Sequence, residues 1–282
     1  MKCSFWILIF LIIYVYLIYP VLLFVLDKIK SMLVKNCFTI NHYRQSQNKY
    51  FTPSVSLIIS AYNEERAIRK KIENCLLLDY PGDKLEIIVG SDGSTDCTDK
   101  IVKSFKNVSK IGPNVKLVQN IVNKGKSSIQ NKAVDEANGD IIIFSDATGI
   151  YNKDAIKNLV RNFADKGVGC VAGVVRYVDC NSSISKGEGT YWKYEMFLRQ
   201  LEDKIGNLAM ASGSIMAFRK KLFKPLDEAV GEDFVIPLQT VLSGHKVIYD
   251  SVDLLQDGKD VKLHDLLFEK LKFVNSLGDT LT

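Results

Sequence analysis

The apolar residues of the chain follow two patterns, one at the N-terminus and one after residue 52. Residues 5–26 carry no charged side chain and consist almost entirely of Ile, Leu, Val, Phe and Tyr. About 20 such residues are enough for a helix to cross a bilayer, so we predict a transmembrane helix within residues 1–26. A cleaved signal peptide fits less well. The apolar region of a signal peptide is shorter than residues 5–26, and it is followed by a small-x-small cleavage site that is not seen after this run. A buried core helix fits less well too, because the segment has no polar face.

The charges that follow this segment predict its orientation. Cytoplasmic flanks of membrane helices carry an excess of Lys and Arg, so we expect the C-terminal part of the chain to lie in the cytoplasm. The few periodic apolar positions indicate that residues 27–52 are a juxtamembrane linker. In this range a single acid, Asp27, stands against Lys28, Lys30, Lys35, Arg44 and Lys49.

From residue 53 onward, short apolar runs alternate with segments of helical periodicity. Each run is typical of a buried strand, and the segments between them place apolar residues three and four positions apart. This alternation predicts an α/β domain over residues 53–250, with a mainly parallel sheet and helices on both faces. The predicted strands are 55–60, 85–90, 115–119 and 141–144, and the predicted helices are 64–78, 95–105, 127–137 and 152–163.

Residues 251–282 begin with a polar stretch and continue as a predicted short amphipathic helix. Three interpretations stay open: the helix lies on a membrane surface, covers the domain, or is the divergent tail of a truncated chain. Its apolar face would contain Leu263, Leu266, Leu267, Leu271 and Val274.

Composition and charge argue against several classes of protein. The net charge is +5, and the sequence has no cluster of Lys and Arg with interleaved aromatics, so nucleic-acid binding is not expected. The six cysteines form no Cys-x-x-Cys pair, so a zinc or redox site is not expected either. The mild excess of basic residues fits a surface beside anionic membrane lipid.

Two acidic residues directly follow predicted strands, where ligands of parallel α/β sheets bind. Asp92 lies in Ser-Asp-Gly-Ser-Thr-Asp, and Asp146 lies in Phe-Ser-Asp-Ala-Thr. Taken alone, each is also explained by a turn that caps the next helix. As functional residues, Asp92 would accept hydrogen bonds from a uracil or ribose, and Asp146 would hold a divalent ion, which prefers oxygen ligands.

Two further motifs carry charge that suits a sugar-phosphate ligand. Gly125 lies between Lys124 and Lys126, so the backbone can approach a diphosphate closely, although a solvated loop also explains this motif. Glu232 and Asp233 open a predicted helix. A general base there could deprotonate a sugar hydroxyl, or the two acids simply favour the helix N-terminus.

In this order, the motifs resemble those of the family 2 glycosyltransferases, which have the GT-A fold. The resemblance extends from Pro53 to Asp250. The Tyr-Trp-Lys-Tyr-Glu run at residues 191–195 also resembles the membrane synthases of hyaluronan, cellulose and poly-N-acetylglucosamine. The motifs that carry the resemblance are Ala61–Glu65, Asp79–Pro81, Ser91–Asp96, Asn123–Lys126, Asn131, Gly139–Asp140, Ser145–Ala147, Thr190–Glu195, Ser212–Ser214 and Glu232–Asp233.

The resemblance implies a membrane-anchored, inverting and metal-dependent glycosyltransferase of polysaccharide synthesis. Such an enzyme would transfer a hexose or an N-acetylhexosamine from a UDP-sugar to a hydroxyl acceptor on a glycan, lipid or protein. The implied cofactor is Mg²⁺ or Mn²⁺. Membrane lipid and a partner membrane subunit are implied partners, and nucleic acid is not.

The resemblance also assigns roles by motif. Asp233 would be the general base, and Asp146 would hold the metal together with Thr148. The nucleotide-sugar would contact Ala61, Glu64, Asp92, Lys126 and Asp146, and the acceptor side would contain Ser212, Gly213, Ser214 and Glu232.

Two departures from the family pattern leave alternatives open. Thr148 stands where the family's metal motif usually has Asp or Asn, and no Gln-x-x-Arg-Trp motif or further apolar span follows Asp233. The main alternative is therefore an inactive relative that binds a nucleotide-sugar or a partner synthase. A nucleotidyltransferase fits less well, because Ala61–Glu65 replaces the Gly-rich basic loop expected after the first strand. A membrane-tethered structural protein would leave the ordered acids unexplained.

Overall fold

The computed structural model describes most of the predicted domain and part of the N-terminal segment. The described residues are 6, 9–10, 13–33, 51–106, 112–173, 194, 197–198, 201, 215–227, 231–250 and 254–255. The predicted acceptor residues Ser212, Gly213 and Ser214 lie outside this set, as do the predicted tail helix and residues 34–50 of the predicted linker.

The N-terminal segment is helical where the structure describes it. A π-helix at Tyr14–Ile18 continues into α1 (Tyr19–Leu33), so helical structure extends into the predicted linker. Many of the described apolar side chains are exposed, including Leu17, Val21 and Phe24. Among the helices that the structure describes, none is both long enough and apolar enough to cross a membrane. The transmembrane helix and its orientation remain predictions.

The described part of the domain alternates strands and helices along the chain. The helices are α2 (Ile68–Leu76), α3 (Thr98–Ser104), α4 (Lys126–Asp135), α5 (Ala155–Val160) and α6 (Glu232–Leu242), with 3₁₀ turns at Arg161–Ala164 and Lys220–Leu222. The strands are β1 (Val55–Ala61), β2 (Leu85–Asp92), β3 (Asn114–Asn120), β4 (Ile141–Asp146), β5 (Ile150–Tyr151), β6 (Val168–Gly173), β7 (Ile215–Arg219), β8 (Lys246–Asp250) and β9 (Leu254–Leu255).

Seven of these strands form one mixed sheet in the order β3-β2-β1-β4-β7-β6-β8. Strands β1 to β4 pair in parallel, whereas β7 is antiparallel to both of its neighbours, β4 and β6. Strand β8 pairs in parallel with β6. The predicted α/β fold with a mostly parallel sheet is confirmed. Strands β6, β7 and β8 were not predicted from the apolar pattern.

A second, two-stranded sheet lies beside the end of β4. Strand β5 pairs with β9 in antiparallel orientation. Residues 254–255, which the sequence placed in the polar tail, therefore pair with a strand of the domain.

Apolar side chains pack on both faces of the large sheet, because alternate residues of a strand point to opposite faces. In β1, Leu57 and Ile59 pack into the core that includes α2 and α5, whereas Ile58 packs into the core that includes α4 and α6. All three are fully buried, and each such burial contributes about 1.5–3 kcal/mol. The sheet is therefore covered by helices on both faces, as predicted.

The strand register places the ends of β1, β2 and β4 side by side. Ser60 of β1 pairs with Asp146 of β4. Ala61 pairs with Ser91 of β2, one residue before Asp92. The carboxyl ends of the three strands therefore meet at one edge of the sheet, which is where ligands bind in sheets of this type.

Candidate active site

An open cleft of about 400 Å³ lies at this edge of the sheet. Every residue that the sequence predicted for nucleotide-sugar and metal binding contributes to its lining. Because these residues come from separate segments of the chain, the fold brings them together. The lining consists of Ser60, Ala61, Tyr62, Glu64, Asp92, Asn123, Gly125, Lys126, Ile129, Asp146, Ala147 and Thr148.

Asp92 holds the neighbouring lysine–glycine loop in place. It is 3% exposed, and its carboxylate accepts hydrogen bonds from Asn120 Nδ2 at 2.8 Å, Lys124 N at 3.0 Å and Gly125 N at 2.7 Å. Gly125 has φ +94°, a conformation that side chains rarely adopt. The loop therefore approaches the cleft with its backbone. These contacts do not test the predicted role of Asp92 beside a uracil.

Two turns interlock at the mouth of the cleft. Asn63 Oδ1 accepts a hydrogen bond from Thr95 N at 2.8 Å, and Asn63 N donates to Ser94 Oγ at 3.1 Å. The backbone N–H of the next residue, Glu64, donates a hydrogen bond to Thr98 Oγ1 at 2.8 Å. The first residues of the predicted helices 64–78 and 95–105 thus form turns that support each other, which explains why α2 and α3 begin later than predicted.

Lys126 joins two acidic residues that are far apart in the sequence. Its Nζ lies 2.8 Å from Asp146 Oδ1 and 2.6 Å from Glu232 Oε1. Although burial lowers the pKa of Lys126, the two carboxylates raise it above its ordinary value. Lys126 is therefore a firmly protonated cation between the end of β4 and the start of α6.

Glu64 brings a third carboxyl group to the cleft. Burial raises its pKa above the ordinary value, and the charges of Asp146 and Asp96 raise it further. Glu64 therefore faces the negative charge of two other acids, and a cation at this place would offset that charge.

The donor set fits a divalent ion that shares its ligands with a substrate. Within the described residues, no group of three or more His, Cys, Asp and Glu side chains is arranged to hold a metal by itself. Mg²⁺ typically takes one or two carboxylates and fills its other positions with water and phosphate oxygens. Asp146, whose side chain is 37% exposed, supplies such a carboxylate, and Thr148 lines the same cleft.

The two acids at the start of α6 take different directions. Glu232 is buried, at 6% exposure, and reaches Lys126. Neither Glu232 nor Asp233 is among the lining residues, and Asp233 takes another direction. Its Oδ1 would lie 2.6 Å from a Cβ placed on Gly231, so the carboxylate folds back over the residues that precede the helix. The role of Asp233 as general base stays a prediction.

The ion pair between Lys126 and Glu232 was missed by sequence reasoning. Glu232 was assigned to the acceptor side from its motif alone, and its place at a helix N-terminus is visible in the sequence. Its direction depends on how α6 packs against β6 and β8, two strands that the apolar pattern did not predict.

A sheet whose parallel strands end in acids around an open cleft, with a lysine at the start of an adjacent helix, is typical of α/β proteins that bind ligands at the strand ends. The model of the family described as Glycosyl transferase family 2 matches residues 56–226. This range is more than half of the chain, so the chain belongs to glycosyl transferase family 2. The pair of Glu232 and Asp233 lies beyond the matched range.

Two known proteins illustrate the similarity in sequence. The chain is 28% identical over 228 residues to the probable glycosyltransferase YdaM of Bacillus subtilis, covering 74% of this chain and 52% of that protein. It is 24% identical over 202 residues to the poly-beta-1,6-N-acetyl-D-glucosamine synthase of Staphylococcus epidermidis, covering 70% and 48%. The chain thus spans about half the length of these relatives.

A solved structure shows the same fold. The mannosyltransferase PcManGT of Pyrobaculum calidifontis, in complex with GDP-Man and Mn²⁺, superposes with a TM-score of 0.65 at 23% identity. The superposition covers 88% of this chain and 70% of that one.

Proposed function

We propose that the protein transfers a hexose or an N-acetylhexosamine from a UDP-sugar to a hydroxyl acceptor. The observation that carries this proposal is the cleft at the strand ends, where Lys126 joins Asp146 and Glu232. A lysine and several acids around an open cleft suit a sugar diphosphate, which needs cationic groups for its phosphates and oxygen acceptors for its hydroxyls.

The residues of the cleft would divide the donor between them. The loop held by Asp92 would contact the nucleoside with its backbone, and Lys126 would donate to the diphosphate. Asp146, with Thr148, would hold Mg²⁺ or Mn²⁺. When bound, this ion would neutralise the negative charge on the departing nucleoside diphosphate.

The acceptor would enter beside the start of α6. Asp233 would take the proton of the attacking hydroxyl as a general base, and Glu232 would orient the acceptor. A single displacement from the opposite face inverts the anomeric configuration, so a β-linkage would arise from an α-linked donor. A glycan acceptor and a role in polysaccharide synthesis are supported by the relative that is a poly-beta-1,6-N-acetyl-D-glucosamine synthase. A lipid acceptor is supported by a relative from Synechocystis that is a beta-monoglucosyldiacylglycerol synthase.

A membrane location is part of the proposal. The uncharged residues 5–26 and the basic residues after them support an anchor with a cytoplasmic domain. Fractionation of cells that express the tagged chain tests this, followed by protease treatment of the vesicles. Recovery in the soluble fraction would contradict the anchor, and protection of the domain inside right-side-out vesicles would support its orientation.

The donor reaction is tested on the purified full chain. Release of nucleoside diphosphate is measured with UDP-glucose, UDP-N-acetylglucosamine and GDP-mannose, each with Mn²⁺, with Mg²⁺ and with chelator. We expect release from a UDP-sugar that needs the metal. Asp146→Ala should lose metal-dependent donor binding, whereas Asp140→Ala, at the exposed opposite end of β4, should not. Unchanged nucleotide affinity of Asp146→Ala in Mn²⁺ would count against the site.

One observation favours a second candidate, an inactive relative that binds the donor without transferring sugar. Thr148 lines the cleft at a position where a second carboxylate or amide would strengthen the metal site. Nucleotide binding without any release of diphosphate, across all donors and acceptors tried, would favour this candidate. Detectable turnover that Thr148→Asp increases would favour the enzyme.

A further inference from the structure

The helix behind the cleft contains a fully buried lysine. Lys71 lies on α2 between Ile68 and Cys75 and is 0% exposed, as both of them are. It occupies a position on the apolar face of the helix, where an aliphatic side chain would serve packing. Burying an ammonium group is unfavourable unless polar partners surround it, so its partners show what it does.

Those partners belong to the loop that carries the acidic end of β4. Lys71 Nζ donates a hydrogen bond to the carbonyl oxygen of Gly149 at 2.5 Å. The same ammonium lies 3.4 Å from the centroid of the Tyr151 ring, a favourable contact of a cation with an aromatic face. Gly149 follows Thr148 directly, so Lys71 holds the loop from behind, opposite the cleft.

Neighbouring contacts hold the two ends of the same loop. Asn74, also on α2, accepts a hydrogen bond from Tyr151 N at 2.8 Å and donates to Tyr151 O at 2.9 Å. The Tyr151 hydroxyl donates to Ser145 Oγ, and Ser145 Oγ donates to the carbonyl oxygen of Asp146 at 3.0 Å. The loop from Asp146 to Tyr151 is therefore fixed by side chains that do not line the cleft.

We propose that Lys71 is a positioning residue that holds the Asp146–Gly149 turn in the geometry required by the donor diphosphate and its divalent ion. The inference rests on the proposed function, because the ligand of this turn is the one proposed there. Outer contacts of this kind orient the groups that touch a metal, and their loss typically weakens metal affinity about 10–100-fold.

The cost of burying this lysine supports the assignment. Burial lowers the pKa of Lys71 to about 8, while the nearby Cys75 and Asp146 shift it in the opposite direction. The fold therefore retains an ammonium where an apolar side chain would be more stable. We explain the buried ammonium of Lys71 by its contact with the loop that carries Asp146 and Thr148 at the cleft.

The test compares Lys71→Met with Lys70→Met. The second variant is the control, because it makes the same change of charge at the preceding position of the helix, which is exposed. Binding of UDP in Mn²⁺ is measured by calorimetry at pH 7, together with the thermal midpoint. We expect affinity to fall about tenfold or more in Lys71→Met, without a lower thermal midpoint, and to stay near wild type in Lys70→Met. Wild-type affinity in Lys71→Met would overturn the proposal, and so would a loss matched by unfolding.

A second measurement keeps the proposal separate from the proposed function. Hydrogen exchange of the amides from Ala147 to Tyr151 should be faster in Lys71→Met than in Lys70→Met, whether or not nucleotide binds. Should the wild type bind no nucleotide, the proposed function fails while the exchange still tests the positioning. Lys71→Gln retains a donor for Gly149 and should recover part of the protection. Equal exchange in all variants would overturn the role of Lys71.

Discussion

At the scale of single residues, the ion pair between Lys126 and Glu232 connects a residue that lines the cleft to the start of α6. Glu232 is buried, whereas the Lys126 side chain is 39% exposed. Loss of the ion pair therefore costs more free energy at Glu232 than at Lys126. A buried carboxylate that loses its cation keeps its desolvation cost. Lys126 can be hydrated by solvent when Glu232 is absent.

This inequality predicts a measurable coupling. Lys126→Met should lower the free energy of unfolding by about 1–3 kcal/mol, because the Glu232 carboxylate stays buried without its partner. Adding Glu232→Gln should restore much of this loss. Urea denaturation of both single variants and the double variant measures the coupling.

The pair of Lys116 and Glu136 serves as the control. It is also close, at 2.5 Å, but its side chains are 36% and 52% exposed, so its coupling should be much smaller than that of Lys126 and Glu232, because exposed ion pairs contribute little to stability. Equal couplings in the two pairs would contradict a special role for the pair in the cleft.

The two acids at the start of α6 can be separated by their kinetics. Asp233→Asn should lower the turnover number by about 10²–10⁴, because general-base catalysis typically contributes that much, while affinity for UDP stays near normal. Glu232→Gln should change UDP affinity as well, since Glu232 contacts Lys126. If Asp233→Asn turned over at close to the wild-type rate, Asp233 would not be the general base.

At the scale of elements, three of the four strands that the sequence predicted, β1, β2 and β4, end at the cleft. Strands β1, β2 and β4 are nearly uninterrupted buried apolar runs, and a fully buried parallel strand has this pattern. Strand β6 is also entirely buried, but its glycines and cysteine interrupt the run of branched residues. Strands β7 and β8 are short, and their placement depends on tertiary pairing rather than on local pattern.

The candidate site could be predicted in part for the same reason. Asp92 and Asp146 end strands that were predictable, so their meeting at one edge followed from the parallel sheet. The contact of Glu232 with Lys126 could not be predicted, because it depends on the packing of α6. Lys71 gave a signal in the sequence, a lysine on an apolar helix face, but its partner Gly149 is 78 residues away.

The interlocked turns before α2 and α3 predict a cost for changing Asn63. Its φ is +55°, a left-handed conformation that costs most other residues about 1–2 kcal/mol. Asn63→Ala should therefore destabilise the domain through both strain and the lost hydrogen bond to Thr95 N. Asn63→Gly loses only the hydrogen bond and should be less destabilising in thermal unfolding. The opposite order would show that the backbone strain is unimportant here.

At the scale of the whole molecule, Lys71 makes stability depend on pH. Its pKa is about 8 in the fold against an ordinary value of 10.5. Between these values the folded chain binds fewer protons than the unfolded chain, so the free energy of unfolding should rise with pH. The full difference corresponds to about 3 kcal/mol.

The measurement is urea denaturation of the wild type and Lys71→Met at pH 7 and pH 10. The wild type should gain stability relative to the variant as the pH rises, because only the wild type buries the Lys71 ammonium. A difference that does not change with pH would mean that the folded and unfolded chains bind equal numbers of protons, and so that burial does not lower the pKa of Lys71.

The position of Lys126 has a consequence for how ligands enter. The Lys126 ammonium group already serves as counter-ion to the Asp146 carboxylate, so a free divalent ion would have to displace it and leave it with Glu232 as its one carboxylate partner among the contacts described. An ion that arrives with a diphosphate offers the displaced ammonium new oxygen acceptors in return. We therefore expect the cleft to take up metal and nucleotide together, and to bind either one weakly when it is offered alone.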